Sequence, residues 1–365
     1  MKKNNFHIDC KSQKTRLIGL DLMRVALALL IFMFHSLIHF NCNYYFLNEF
    51  VSAGAIAMTG FFMLSGYALY YSYSDKNLIT VTEIKPFYIK RAITILPLYF
   101  FIAITFTICD FIQGIAHLDE FLVLFPVETL CLQSTFSSLF SYGHNIGTWF
   151  ISCIVICYAI YPFLQTMISQ ISNRSRVILL IVLIGILLYA PIVQMFFKLQ
   201  PIYSNPFYRL LEFTIGILLA QINCSSIDNK ILNLFRNKYM LMFSVVLLVV
   251  LISLALHIGI PNNYMLLNWI AIPCFCVMII ALGVIPFSSL KNNRTLAYLS
   301  SISFTFFLCQ VLPVWTVSGK VCDWIGIDIN ILKIVVSFLF CVVGAVLIHE
   351  LVEKPASKLL KEKFL

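Results

Sequence analysis

Long apolar runs, separated by shorter polar stretches, recur along the whole chain. Each is close to the ~20 residues an α-helix needs to cross ~30 Å of hydrocarbon. The pattern predicts ten spans: 17–40, 50–73, 92–113, 146–168, 176–197, 206–222, 239–259, 265–285, 298–319 and 330–352. The sixth is short, which predicts a tilted helix or one that runs on into a loop. The expected fold class is therefore all-α, a polytopic membrane bundle of about ten transmembrane helices.

Basic residues test that division independently, because cytoplasmic loops collect Lys and Arg. The tail 1–16 holds Lys2, Lys3, Lys11, Lys14 and Arg16, whereas the first loop, 41–49, holds none. Lys76, Lys85, Lys90 and Arg91 mark the second loop, and the long third one, 114–145, again has none. Arg174 and Arg176 lie in the fourth, Lys198 alone in the fifth, and Lys230, Arg236 and Lys238 in the sixth. The seventh has none, the eighth has Lys291 and Arg294, the ninth only Lys320, and the tail 354–365 holds Lys354, Lys358, Lys361 and Lys363. The alternation is unbroken. It predicts an even number of spans, both termini in the cytoplasm and an outer, acidic loop 114–145 carrying Asp119, Glu120 and Glu128. The membrane domain is expected over 17–353.

Composition agrees. The 365 residues are 61% hydrophobic and 11% charged, against roughly 25% charged in soluble domains. The polar start, with no short apolar core and cleavage site, predicts that the first apolar segment is retained. The net charge of +9 is carried by loops and tails that orient spans and is not read as nucleic-acid binding. Most of the twelve cysteines sit in apolar runs and read as small buried residues, including Cys274 and Cys276. Cys42 and Cys322 fall in predicted outer loops, where a disulfide is open.

The first span has candidate chemistry. "GLDLMRVALALLIFMFHSLIHF", residues 19–40, keeps Asp21, Arg24, His35 and His39 within an apolar run. Charged and titratable groups at membrane depth face a bundle interior or a wet cavity and are functional by default. At 100° per residue, Arg24 and His35 are offset by ~20° and separated along the axis by ~16 Å. Asp21 and His39 fall within ~60° of Arg24, so all four share one stripe. The loop charges place Arg24 in the cytoplasmic half and His35 in the outer half. A permanent guanidinium suits phosphate, and a neutral imidazole can take a hydroxyl proton near neutral pH. Asp21 reads as the partner that orients Arg24, and His39 as an interfacial anchor or an acceptor contact. A third ligand for a metal on His35 and His39 is not evident, so no metal is expected.

These residues open a longer resemblance. "LDLMRVALALLIFMFH" resembles the start of the membrane acyltransferase-3 family, with Leu-Asp-x-x-Arg and a His eleven residues after the Arg. "GFFMLSGYAL" at 60–69, "FYIKRAITILPLY" at 87–99, "GTWFISCIVICYAIYPFL" at 147–164, "RLLEFTIGILLA" at 209–220, "LSSISFTFFLCQ" at 299–310 and "HELVEKPASKLL" at 349–360 are similar to later family elements, in order. The resemblance implies about ten helices, acetyl-CoA or another acyl-CoA as cytoplasmic donor, and a hydroxyl of a lipid-linked or surface glycan as acceptor. It also implies that Arg24 and His35 are the functional pair. Two departures stand out. Thr94 occupies the place of a second family Arg, which leaves Lys90 and Arg91 as donor-binding candidates. Gln310 replaces a ninth-span His; it can hydrogen-bond a substrate but is no general base at neutral pH.

Remaining residues carry two readings. Ser65 and Gly66 suit close helix packing, with a substrate role as the alternative. Trp149 reads as an interfacial anchor or a sugar platform. Arg209 and Glu212, at i and i+3, form an ion pair, or Arg209 meets an anionic acceptor near the outer face. Glu353 and Pro355 are expected to fix the cytoplasmic end of the last span. His117 and His144 are loop residues, the latter close in sequence to Trp149.

The expected function is an O-acetyltransferase of a cell membrane, such as a bacterial inner membrane, partnered by the bilayer, acyl-CoA and a glycan or lipid-linked sugar. A transporter or flippase of lipid-linked sugars, or a non-catalytic envelope scaffold, remains the alternative.

Overall fold

The structure is a computed structural model that describes residues 15–112, 114, 118–135, 146–198, 202–225, 230–310, 321–327 and 329–365. Among these, every regular element is helical. They are α1 (Ile18–Phe40), α2 (Asn48–Ser52), α3 (Ala57–Tyr73), α4 (Val81–Ile112), α5 (Leu118–Thr129), α6 (Trp149–Gln170), α7 (Asn173–Phe197), α8 (Pro206–Cys224), α9 (Lys230–Phe235), α10 (Lys238–His257), α11 (Tyr264–Val284), α12 (Arg294–Cys309), α13 (Asn330–Ile348) and α14 (Lys354–Phe364), with short 3₁₀ turns between some of them.

Among the described residues, seven helices are long and apolar enough to cross a bilayer: α1, α4, α6, α7, α10, α11 and the joined α13–α14. The pair Tyr45–Ser52 and Gly54–Tyr73, bent by 49°, makes an eighth if it is one span. Two of the ten predicted spans fall short of this test for separate reasons. Helix α8 carries Arg209 and Glu212 in its apolar run, and the described part of α12 is only 16 residues long. The rest of that ninth predicted span, from 311 on, lies outside the described residues.

Three boundaries differ from the sequence reading. Helix α4 starts at Val81, inside the stretch read as a loop, where "TVTE" at 80–83 makes the Glu half of a capping box. The Glu83 carboxylate accepts from the Thr80 backbone N–H (3.1 Å) and hydroxyl (2.9 Å), and the Thr80 carbonyl accepts from Glu83 N–H (3.0 Å). Within the predicted loop 114–145, α5 is helical and exposes Leu118, Leu122, Val123 and Phe125. The segment read as a C-terminal tail is α14, which packs on α4 where Ser357 Oγ donates to the Ile93 carbonyl (3.2 Å).

Pairings between helices fix their relative directions. Along α1 and α12, Asp21 meets Ser300 and Ala28 meets Gln310, so the two run in the same sense. Helix α11 opposes them, since Phe34 packs on Tyr264 while Gly19 lies against Leu282. Thr59 meets Glu212 and Asn268, and Tyr67 meets Asn223, so α3, α8 and α11 run together. Helix α6 joins them through Phe62–Phe150 and Tyr73–Gln165. Helix α13 opposes α1, with Asn43 bonded to Asn330 and Phe32 on Phe338. The start of α1 and the end of α13 therefore lie on one side.

Helices α3 and α8 form the centre. Nearly all their side chains are buried, while the best windows of α7, α10 and α13–α14 are only 17%, 22% and 17% buried and turn outward to where lipid would be. Two glycines set the α3–α8 crossing. A Cβ on Gly66 would run into the Phe213 carbonyl oxygen, and one on Gly216 into the Met63 carbonyl oxygen. Backbones approach this closely only where neither partner carries a side chain. Cys42, Cys274, Cys276 and Cys322 are free, buried thiols; outside the spans, burial pushes the Cys42 thiol up to about 11.

Gly66→Ala should therefore push α3 from α8 and lower stability by about 1–3 kcal/mol, the usual range for overpacking. Thermal unfolding of the detergent-purified variant, with Gly185→Ala as the open-space control, measures it.

Candidate active site

Asp21 organises the polar end of α1. One of its oxygens accepts from Ser300 Oγ (2.7 Å) and from Arg24 Nη1 (3.2 Å), while the other accepts from Arg16. Arg24 Nη1 also donates to Ser300 Oγ (3.0 Å). The carboxylate and hydroxyl thus hold the guanidinium from two helices, and charge-assisted bonds of this kind are the stronger ones. Arg24 is still about a third exposed at its side chain, because it faces a cavity.

That cavity has a volume of about 400 Å³ and lies between α1, α3, α4, α6 and α12. Its polar wall includes Arg24, Arg91, Ser65, Ser300, Ser303 and Glu353, and its apolar wall includes Phe61, Phe150 and Phe307. Arg91 reaches it from α4 with its guanidinium 5.8 Å from the ring centres of both Tyr73 and Tyr158, a cation–π seat. Its Nε is buried with no hydrogen-bond partner. Two permanent cations with hydroxyls between them make the cavity suited to an anion.

Glu353 does more than end a helix. Residues His349–Glu353 form a π-helical turn between α13 and α14, a wide turn often found at functional sites. Glu353 Oε2 lies 2.7 Å from His349 Nδ1 and accepts from the Thr305 hydroxyl, and the residue lines the cavity. Pro355 sits at the first turn of α14, where its missing N–H is no loss. Thr94 also lines the cavity, with its hydroxyl bonded to the Lys90 carbonyl (2.8 Å), whereas Lys90 itself is exposed and apart from it.

His35 is at the other end of α1 and does not line the cavity. Its ring stacks on His39 at 5.6 Å and 13°, and meets Phe34 at 5.3 Å. Gln310 stands between the two ends. It is fully buried, its Nε2 is 3.4 Å from the Ala28 carbonyl, and its Oε1 has no partner among the described residues.

Two predicted contact residues need correction. Arg209 is not presented to an acceptor: it has no exposed surface, and its Nη1 bonds both Glu212 oxygens (2.9 and 2.8 Å) and Thr59 Oγ1 (3.2 Å). Its Nε donates to the Tyr203 carbonyl (2.7 Å). Four rings enclose it, with centroids at 4.6 Å (Tyr203), 5.4 Å (Trp149), 5.5 Å (Phe62) and 5.9 Å (Tyr208). Trp149 is accordingly buried in this cage and is not an interfacial anchor; the buried cation draws the rings inward. His117 and His144 lie outside the described residues. Sequence reasoning missed Ser300, Tyr158, Thr305 and His349. Ser300 lies in the quoted "LSSIS" run, but its meeting with Asp21 depends on which helices adjoin.

Among the described residues, an all-helical bundle with apolar spans and a cavity lined by Arg24 and Arg91 beside its first helix defines a membrane protein with a polar site within its spans. Family comparison makes it specific: the family model of the acyltransferase-3 family, described as an acyltransferase domain, matches residues 17–350, and the chain belongs to that family. It is a multi-pass membrane acyltransferase. No curated protein and no solved structure matches it.

Glu212→Gln should destabilise the fold by about 3–5 kcal/mol, since it strands Arg209 as an unpaired buried cation. The double variant Arg209→Met/Glu212→Leu should recover much of that loss. Unfolding temperatures of both in detergent test the pair.

Proposed function

We propose that the protein is a membrane O-acetyltransferase. In this reading acetyl-CoA enters from the cytoplasm, and the acetyl group passes to a hydroxyl of an envelope or exported glycan or of a lipid-linked sugar. The observation that carries it is the division of one helix, with Arg24 on a cation-lined cavity at one end and His35 beside His39 at the other. Arg24 and Arg91 hold donor phosphates; Ser65, Ser300 and Ser303 offer hydrogen bonds along the cavity wall. The unpartnered Gln310 carbonyl oxygen can accept an amide N–H from the donor's pantetheine arm.

His35 takes the proton from the acceptor hydroxyl as its oxygen attacks the thioester carbonyl, and the coenzyme thiolate leaves and is reprotonated. In a relay the imidazole nitrogen first takes the acetyl group as the coenzyme thiolate leaves, and the acceptor hydroxyl then displaces the imidazole, losing its proton. The paired helix directions, read with the basic loops, support ten spans with both termini in the cytoplasm; in this reading the Arg24 cavity faces the donor side and His35 the acceptor side of a cell membrane.

His35→Ala should abolish acetylation of the surface glycan, read by mass spectrometry of glycan from cells carrying either form, while the folded protein stays in the membrane. Retained acetylation would rule the assignment out. Thr94→Arg adds a third cation to the cavity wall and should tighten binding of coenzyme A severalfold, measured by calorimetry on purified protein, whereas Arg24→Ala should weaken it at least tenfold, as the loss of a charged hydrogen-bond partner implies.

A further inference from the structure

A second concavity, about 270 Å³ in volume, opens near the His35 end of the bundle. It lies between the end of α7 (Gln194), the segment entering α8 (Ile202, Tyr203) and the segment entering α11 (Asn262, Asn263, Tyr264). Its position relative to His35 follows from ring contacts. Tyr264 packs edge-on against Phe34 at 5.8 Å, and Phe34 meets the His35 ring at 5.3 Å. Buried Phe34 thus separates the concavity from the imidazole by a single ring.

The lining carries no charged side chain. Arg209 lies behind Tyr203 at 4.6 Å and is committed to Glu212, and Lys198, the exposed C-cap of α7 one turn beyond Gln194, is not part of the lining. What the lining presents is a set of amides and phenols whose free atoms can be assigned. Asn263 Oδ1 caps α11, accepting from Met265 N–H (2.9 Å) and Leu266 N–H (3.4 Å), which leaves its Nδ2 as a donor. Asn262 Nδ2 donates to the Ser52 carbonyl (3.0 Å), which leaves its Oδ1 as an acceptor. Neither the Gln194 amide nor the Tyr264 hydroxyl has a hydrogen-bond partner among the described residues, and each can both donate and accept. Beside them the Tyr203 and Tyr264 rings lie 5.4 Å apart, tilted by 49°, and offer apolar faces with polar tips.

Uncharged groups that both donate and accept, set beside aromatic faces, match a ring that bears several hydroxyls on one edge and C–H groups on its faces. A carboxylate or phosphate would find no cation in the described lining. The volume falls below the ~300–1,000 Å³ of sites for drug-sized ligands and suits a single ring. We propose that this concavity is an acceptor subsite that seats one uncharged sugar unit of the glycan, next to the unit whose hydroxyl reaches His35. The inference rests on the acetyltransferase reading for its place in the reaction, but the binding itself is testable apart from it. Neutral sugar selection here would let the protein act on a particular position in a repeating chain, since the reacting hydroxyl is set by the neighbour that binds.

Surface polysaccharide from cells lacking the protein, cut to oligosaccharides and separated into neutral and uronic-acid-containing fractions, is the probe. Binding is measured by calorimetry on purified protein in nanodiscs. The neutral fraction should bind, and Gln194→Ala and Tyr264→Phe, which remove groups without hydrogen-bond partners among the described residues, should each weaken it about tenfold. Unchanged binding in both variants, or no binding of the neutral fraction, would overturn the subsite. Acetyl transfer by the wild-type protein to the same polysaccharide is scored separately, so a failed transferase reading and a failed subsite give different results.

Discussion

The architecture depends on the approach of α3 and α8 at Gly66 and Gly216. Backbone contact there brings Thr59 within reach of Glu212 and Arg209, and Asn268 on α11 within reach of Thr59. A full ion pair at membrane depth is tolerated because all these partners are in place, and aromatic faces enclose the guanidinium. Close packing of glycines and burial of charge are one device, since a wider crossing would separate the groups that neutralise each other. It also explains why α8, with its two charged residues, can lie at the centre while more apolar helices such as α7 and α10 face outward.

The polar groups of α1 follow a different logic. Asp21 and Ser300 fix Arg24 without burying it, so the guanidinium keeps donors turned to a cavity. Arg209 has no exposed surface and commits its Nε and Nη1 donors inside the protein, leaving only its buried Nη2 without a partner among the described residues, whereas Arg24 and Arg91 line the cavity. The three arginines can thus be sorted by where they lie, Arg209 in a closed cage and Arg24 and Arg91 on the cavity wall.

Much of this was legible in the sequence. The apolar runs and alternating Lys/Arg loops foretold helices whose directions alternate, and helix phase put Arg24 and His35 on one stripe. Other features depended on tertiary neighbours. The i, i+3 spacing of Arg209 and Glu212 announced a pair, but nothing local announced four rings around it, and Trp149 near a predicted loop looked like an anchor for the same reason. The start of α4 was in fact written locally, as Thr80 and Glu83, yet the surrounding lysines read as a loop. Acidic residues around 118–129 masked α5 in the same way. Ser300, Thr305 and His349 could be found only once α12 and α13 were known to lie against α1 and the cavity.

The wide turn at His349–Glu353 has a consequence for how this chain can vary. A π turn carries one residue more than the α-helix it interrupts. Losing one residue there would turn everything after it by about 100° around the helix axis. Ser357 would leave the Ile93 carbonyl, and Glu353 would leave Thr305 and the cavity wall together. The spacing between α13 and α14 should therefore resist insertion and deletion even where many side chains can be exchanged, because chain length, rather than any one residue, aims the last carboxylate.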